Sequence, residues 1–233
     1  MSASTTASQT LSRGLRVLEV LAAAGVPMTI DQIAEQLEVH RSIAYRLLRT
    51  LEDHALVVRN AAGHLVLGAR LAALAAGVQR DLQLAATPEL AAAAEDLGMT
   101  CFLAVLDADQ CTTVVSVGPT SPVPTVAQRP GARHVVTKGA PGKAILTQMH
   151  PERWPSGMTP ALRSEVVAAR GQGFAVSRDE VIATVRAVAV PLALRGRTPA
   201  TIAALCIADD PASSQIAERL TAAARAIHLD VDG

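Results

Sequence analysis

The sequence predicts an α+β protein: an N-terminal winged helix-turn-helix, a linker helix, and a C-terminal domain on a mainly antiparallel sheet. Three observations carry this. Residues 29–52, TIDQIAEQLEVHRSIAYRLLRTLE, read as two short amphipathic helices joined by a tight turn. Residues 57–67 read as two short strands around a glycine-bearing tip, and from Thr100 onward β-rich runs interleave with Ala-rich helical ones.

The elements follow in order. Leu11, Leu15, Leu18 and Leu21 recur at helical spacing until Gly25-Val26-Pro27 stops the first helix. Thr29 with Gln32 forms a capping-box pattern, and Ile30, Ile33, Ala34 and Leu37 share one face of the helix it starts. The next helix sets Ile43, Leu47 and Leu51 on one side and Ser42, Tyr45, Arg46 and Arg49 on the other. A cationic, hydrogen-bonding stripe suits a recognition helix, because phosphates favour guanidinium charge and base edges favour forked donors. For the pair alone, a solvated face of an ordinary helical hairpin is an equal reading. The hairpin 57–67, with Arg59 as a candidate phosphate contact, tilts the choice toward DNA, since helix, helix-turn-helix and hairpin together make a winged helix.

Residues 69–84, with Leu71, Leu74, Val78 and Leu82 on one stripe, are expected to form the linker helix. Thr87-Pro88 then offers a fresh cap for a short helix at 90–97, ended by Gly98. Strands are expected at 100–106, 111–117, 123–128, 174–177, 185–194 and 200–208. Helices are expected at 144–149 and 161–170, and Asp210-Pro211 is expected to cap a last helix bearing Ile216, Leu220, Ala223, Ala224 and Ile227. The implied division is 1–8 flexible terminus, 9–68 winged helix, 69–85 linker and 86–233 second domain.

Composition narrows the function. The 233 residues carry no net charge, so affinity for nucleic acid has to come from a local patch. Lys138 and Lys143 are the only lysines, so arginine is a chain-wide preference as well as a feature of that patch. No apolar run approaches the ~18 residues of a membrane span, residues 1–9 do not resemble a signal peptide, and a cytoplasmic location is expected. Cys101, Cys111 and Cys206 lack metal or disulfide spacing and read as small apolar core residues.

No motif supports catalysis, a metal or a cofactor. The loop Lys138-Gly139-Ala140-Pro141-Gly142-Lys143 fails the phosphate-loop pattern: Thr137 stands at the first glycine position and Ala144 follows the lysine. A helix N-terminus fed by small residues still suits a carboxylate or other small anion, or is a simple tight turn. His134 reads as a strand-end surface residue rather than a base. Asp179 and Glu180, being adjacent, point apart and make a poor acid–base pair.

Taken together, RGLRVLEVLA, TIDQIAEQL, HRSIAYRLLRTLEDHALV and HLVLGARL in the first half, with GARHVVTKGAPGKAIL, GQGFAVSRDEV and VRAVAVPL in the second, resemble the IclR family of bacterial transcriptional regulators. The resemblance spans about residues 11–211. It implies a winged-helix DNA-binding domain, a linker helix and a GAF-like effector-binding domain, assembled as a homodimer or dimer of dimers, and acting on double-stranded operator DNA as a repressor or activator. Its DNA contacts would be Arg41, Ser42, Tyr45, Arg46 and Arg49. Its effector pocket would include Val126, Ala140, Pro141, Ser177, Ala187, Cys206 and Ala208. The chain departs from the family pattern in that pocket: Ser177 stands where an acid is common, Ala187 where a cysteine is, and Cys206 and Ala208 where serines are. A matched buried polar anchor is worth about 1–3 kcal/mol, so an effector less polar than a small keto acid is expected. Glu38 and Ala55 replace glycines that flank the recognition helix in the family. A repressor controlled by a small molecule is the leading reading. A metabolite-binding sensor or enzyme whose winged helix makes protein contacts only is the alternative.

Overall fold

The structure is a computed structural model that describes residues 8–75, 77–120, 125–207 and 212–233. The chain divides between Val78 and Gln79 into two compact units. In the first, α1 (Gln9–Ala24) starts where Ser8 Oγ accepts from the Leu11 N–H and ends at left-handed Gly25. Thr29 and Gln32 form the expected capping box, at 3.3 and 2.8 Å, and launch α2 (Ile30–Gln36). His40 Nδ1 accepts from the Ser42 N–H to start α3 (Arg41–Asp53). Strands β1 (Val57–Arg59) and β2 (Leu65–Leu67) pair antiparallel, and their tip is held by Asn60 Oδ1, which accepts from the Ala62 and His64 N–H groups.

Val17, Leu21, Ile33, Leu37, Leu47, Leu48, Leu51, Val57 and Leu65 make this unit's core, so the apolar stripes on all three helices converge on the base of the wing. Gly68 is required after the wing, because a Cβ there would lie 2.1 Å from the Ala55 carbonyl oxygen.

The linker is not one helix. Helix α4 (Arg70–Ala75) buries no residue, Gly77 and Val78 lie in turns, and Gln79 is left-handed at φ 46° before α5 (Arg80–Leu97) begins. The predicted stripe is therefore divided: Leu74 and Val78 are exposed, whereas Leu82 is buried in the second unit. Pro88 does not start a new helix either; it lies inside α5. An internal proline costs roughly 3 kcal/mol, and burial of Leu82, Ala85, Ala86, Leu90, Ala93 and Ala94 along one continuous face of that helix offsets it.

The second unit is a six-stranded sheet in the order β5-β4-β3-β8-β7-β6, every neighbouring pair antiparallel. Its strands are β3 (Thr100–Asp107), β4 (Gln110–Val117), β5 (Arg133–Val135), β6 (Ala175–Arg178), β7 (Arg186–Leu192) and β8 (Ala200–Cys206). Helices α5 and α8 (Ser213–Asp232) cover one face. Helices α6 (Gly139–Thr147) and α7 (Pro160–Gln172) cover the other. Small side chains such as Ala93, Ala94, Ala203, Ala204, Ala223 and Ala224 supply much of both cores.

The strand expected at 123–128 is not formed at 125–128, and residues 123–124 lie outside the described residues. The edge strand is instead β5, whose pairing with β4 sets His134 opposite Cys111. The expected cap at Asp210-Pro211 also lies outside the described residues; α8 begins after Ala212, whose N–H is bonded by Gln215 Oε1. Cys101, Cys111 and Cys206 are buried and free, as their spacing predicts, and burial pushes the Cys101 and Cys111 thiols up to about 12.

Helix α6 is fastened at both ends. At its C-terminus, Trp154 Nε1 donates to the Leu146 carbonyl at 3.0 Å, and Arg170 donates to the Thr147 and Met149 carbonyls. Arg163 and Arg170 lie over the Trp154 ring, 5.7 and 5.8 Å from its centroid. No helix among the described residues is long and apolar enough to cross a membrane.

Candidate DNA-reading face and effector cavity

Helix α3 buries Ala44, Leu47, Leu48 and Leu51 and leaves Arg41, Ser42, Tyr45, Arg46 and Arg49 exposed, so five of the six residues singled out for DNA share one outward surface. Their engagements differ. Arg41 is ion-paired with Asp31 of α2, which braces the two helices. Ser42 Oγ lies 2.9 Å from His40 Nδ1. Arg49 sits beside the Tyr45 hydroxyl and Asp53, which together raise its pKa further. The Arg46 guanidinium makes no hydrogen bond or ion pair among the described residues. His40, Arg41, Ser42, Tyr45 and Arg46 rim an open depression on this surface.

Arg59, the sixth residue, is not a free cation. Its guanidinium is 2.7 Å from Glu52 Oε1 and donates to the Gly63 carbonyl, so it ties the wing to the last turn of α3. The two turns that lack the family's glycines adopt left-handed backbone nonetheless: Glu38 has φ 53° and Ala55 has φ 55°.

In the second unit, a small, partly enclosed cavity of about 40 Å³ lies on the α6 face of the sheet. The cross-strand row Ser177–Ala187–Leu205, set by the register of β6, β7 and β8, forms its floor with Phe102. Pro141 and Gly139 at the start of α6 form one wall, and Val181, Ile182 and Val185 another. Gly142 lets α6 come this close to the β5 side, since a Cβ there would be 2.1 Å from the Val136 carbonyl oxygen. A larger open groove of about 520 Å³, lined by Val190, Leu192, Thr221, Arg225 and His228 among others, lies along β7 and α8. It is the more open of the two, and the greater enclosure of the α6-face cavity makes that the better ligand site.

Of the residues assigned to the pocket, Pro141, Ser177 and Ala187 line it. Ala140 stands just behind, its N–H donated to Ser177 Oγ at 2.8 Å. Val126 packs at the edge of the same apolar cluster without lining the cavity. Cys206 does not belong there. Strand alternation turns Leu205 to the cavity and Cys206 to the α5–α8 face, where Arg186 Nε reaches its sulfur at 3.2 Å. Ala208 lies outside the described residues.

The start of α6 is already satisfied from within. Glu180 Oε2 accepts from the Gly139 N–H at 2.9 Å, and Ser177 takes the next amide. Thus the anion suited to this helix N-terminus is the chain's own Glu180 carboxylate. Lys143, almost fully buried, bridges Glu180 and Glu165, the latter at 2.6 Å. Burial alone would lower the Lys143 pKa, but its hydrogen bonds to Glu165 and Glu180 outweigh this and raise it. Asp179 turns the other way and accepts from the Thr184 N–H, so the two adjacent acids do point apart.

The reading of His134 as a strand-end surface residue holds only in part: it lies in the edge strand β5 but is half-buried. Its ring lines the cavity, and its Nε2 is buried with no hydrogen-bond partner. Burial lowers its pKa, against a smaller opposing effect of a backbone hydrogen bond to Lys138. A signal was present: His134 and buried Val136 are two apart and share a face of the edge segment. Among the described residues, no cluster of His, Cys, Asp and Glu is placed to hold a metal.

A winged helix with an exposed cationic recognition face, followed by a sheet domain with a partly enclosed cavity, defines a DNA-binding regulator with a sensory domain. The comparisons identify its family. The IclR helix-turn-helix domain matches residues 10–61, and the bacterial transcriptional regulator IclR C-terminal domain matches residues 75–229. The chain belongs to the IclR family of transcriptional regulators. It is similar to the HTH-type transcriptional regulator Rv1719 of Mycobacterium tuberculosis, 30% identical over 74% of this chain and 72% of that protein. It is 28% identical to the acetate operon repressor of Salmonella typhimurium, over 62% of this chain and 54% of that protein. Its fold matches an IclR homolog from Microbacterium hydrocarbonoxydans crystallised with 4-hydroxybenzoate, at TM-score 0.80 and 23% identity over 96% of this chain and 99% of that one.

Proposed function

We propose that the protein is a repressor that binds a specific operator sequence through α3 and is released or retained by a small molecule in the α6-face cavity. The observation that carries the DNA half is the outward face of Ser42, Tyr45, Arg46 and Arg49, with Arg46 unengaged among the described residues. Arg41 and Arg59 fix the geometry around that face through Asp31 and Glu52, and Arg41 keeps donors that can turn to a phosphate. The name of the Salmonella relative supports repression as the sign of control.

A homodimer or dimer of dimers presents two such helices to half-sites about one helical turn, or a multiple of it, apart. Exposed Leu11 and Leu15 on α1 are consistent with burial between subunits. The effector has to bind the DNA-competent and incompetent states unequally, or it switches nothing. With Ala187 and Leu205 on the cavity floor, and Ser177 occupied by the Ala140 amide, an effector less polar than a small keto acid fits best.

A gel-shift titration of the folded protein on the DNA upstream of its own gene tests the reading. A retarded band that survives excess unrelated DNA supports it. No band at low salt would return the winged helix to protein contacts alone. Sedimentation of the free protein and of the DNA complex gives the number of subunits.

A further inference from the structure

Among the described residues lining the α6-face cavity, one fully buried side-chain nitrogen has no hydrogen-bond partner. His134 Nε2 is buried and unbonded, 3.3 Å from where a Cβ on Gly139 would stand. A backbone hydrogen bond with Lys138 acts to raise the His134 pKa, as a carbonyl accepting from the ring does, and the Lys138 N–H is already donated to the Val135 carbonyl. With Nε2 unbonded, we assign the proton to Nδ1, which leaves a lone pair on Nε2 facing the cavity. A buried acceptor left unsatisfied is uncommon and unfavourable.

The backbone amides and the ammonium group at this end of the cavity, the donors best suited to a carboxylate, are already engaged. The Gly139 and Ala140 amides are bonded to Glu180 and Ser177, and Lys143 is shared between two carboxylates. Glu180 is the one residue lining the cavity with a carboxylate or cationic head, so an entering anion meets like charge. Besides Ser177, and Gln128, whose Nε2 donates to Thr113 Oγ1, the remaining surface, from Phe102, Val185, Ala187 and Leu205, is apolar.

We propose that the cavity takes a small neutral molecule that donates a hydrogen bond, a phenolic or alcoholic hydroxyl, to His134 Nε2, seats its apolar body against Phe102, Val185 and Leu205, and excludes carboxylates. The proposal rests on the reading of the second domain as effector-binding and names the chemical class that domain recognises. At about 40 Å³ the cavity holds on the order of three waters. A ring-sized ligand therefore displaces Val181 and Ile182, the wall residues that are 49% and 39% exposed.

Calorimetric titration of the full-length protein with phenol, anisole and benzoate tests this. Phenol can donate, anisole has the same ring without the donor, and benzoate carries the charge. Phenol is expected to bind at least about ten-fold more tightly than either of the others. His134→Leu is expected to erase the phenol–anisole difference, while His134→Gln, which keeps an acceptor oxygen, preserves part of it; the Gln variant decides the matter if the Leu variant does not fold. Benzoate binding as tightly as phenol, a phenol preference indifferent to both substitutions, or no binding of any of the three would overturn the proposal. Operator titration with and without phenol separates the two readings. Phenol bound through His134 without any change in operator affinity would sink effector control but leave the pocket chemistry standing. An operator response to phenol that ignores His134 would do the reverse.

Discussion

Arg59 Nε lies 2.7 Å from Glu52 Oε1, joining the wing to the final turn of the helix proposed to read DNA. Arg46, on the same helix, has no such partner among the described residues. Arg46→Ala is therefore expected to lower operator affinity and reduce the salt slope by about one unit. Arg59→Ala is expected to leave the slope nearly unchanged and to act by loosening the wing. Operator titrations at two salt concentrations distinguish the two effects, and equal slope changes would contradict the assignment.

Glu38 and Ala55 occupy left-handed backbone without being glycine. Such a conformation costs an L-residue about 1–2 kcal/mol, whereas glycine adds about 0.5–1 kcal/mol of unfolded-state entropy. Glu38→Gly is thus expected to stabilise the first domain by a few tenths to about 1 kcal/mol. Gly68→Ala runs the opposite way, because its Cβ would collide with the Ala55 carbonyl. Chemical denaturation of the full-length variants measures both, and a destabilised Glu38→Gly would refute the strain argument.

Lys143 holds two carboxylates at its ammonium group. Lys143→Met leaves Glu165 and Glu180 facing each other with the cation gone. Removing one partner of a buried pair costs about 3–5 kcal/mol, and the partial exposure of both carboxylates places this case at or below the lower figure. The loss is expected to shrink at acid pH, where a carboxylate can protonate. Denaturation midpoints at neutral and acid pH provide the check.

His134 gives a second pH dependence of opposite origin. Its folded-state pKa is depressed below the ordinary 6.5 by burial. The unfolded chain therefore takes up the proton first as pH falls through 6.5, and stability declines from there down to the folded-state pKa; above 6.5 the group contributes no slope. His134→Leu is expected to flatten this part of the stability profile. A wild-type profile equally steep with the substitution would show that other groups set it.

The sequence was most informative where periodicity and caps agree. Thr29 and Gln32 announce α2 through local hydrogen bonds, and the leucines of α3 separate the buried side from the reading side without reference to other elements. Misplacements arose where tertiary packing overrode a local signal. Pro88 looks like a helix start because its ring lacks an N–H, yet the apolar face continues through it and keeps α5 whole. Residues 69–84 look like one stripe because Leu74, Val78 and Leu82 keep helical spacing, and only the left-handed Gln79 shows that they belong to different units. In the cavity, Ser177 and Ala187 were legible through the family pattern. Glu180 was not, because the Gly139 amide it bonds lies 41 residues away in sequence. Cys206 was misplaced by one step of strand alternation, a single-residue shift that exchanges the two faces of the sheet.

The aromatic residues are so sparse that the molecule carries its own pair of optical labels. The chain has one tryptophan and one tyrosine. Trp154 is bonded to α6 and flanked by two arginines on the cavity side of the sheet, while Tyr45 stands on the exposed face of α3. Red-edge excitation therefore observes the sensory domain alone, and quenching of the tyrosine observes the DNA surface alone. An emission change on adding a small molecule can be assigned to one half of the protein without attaching a dye to either.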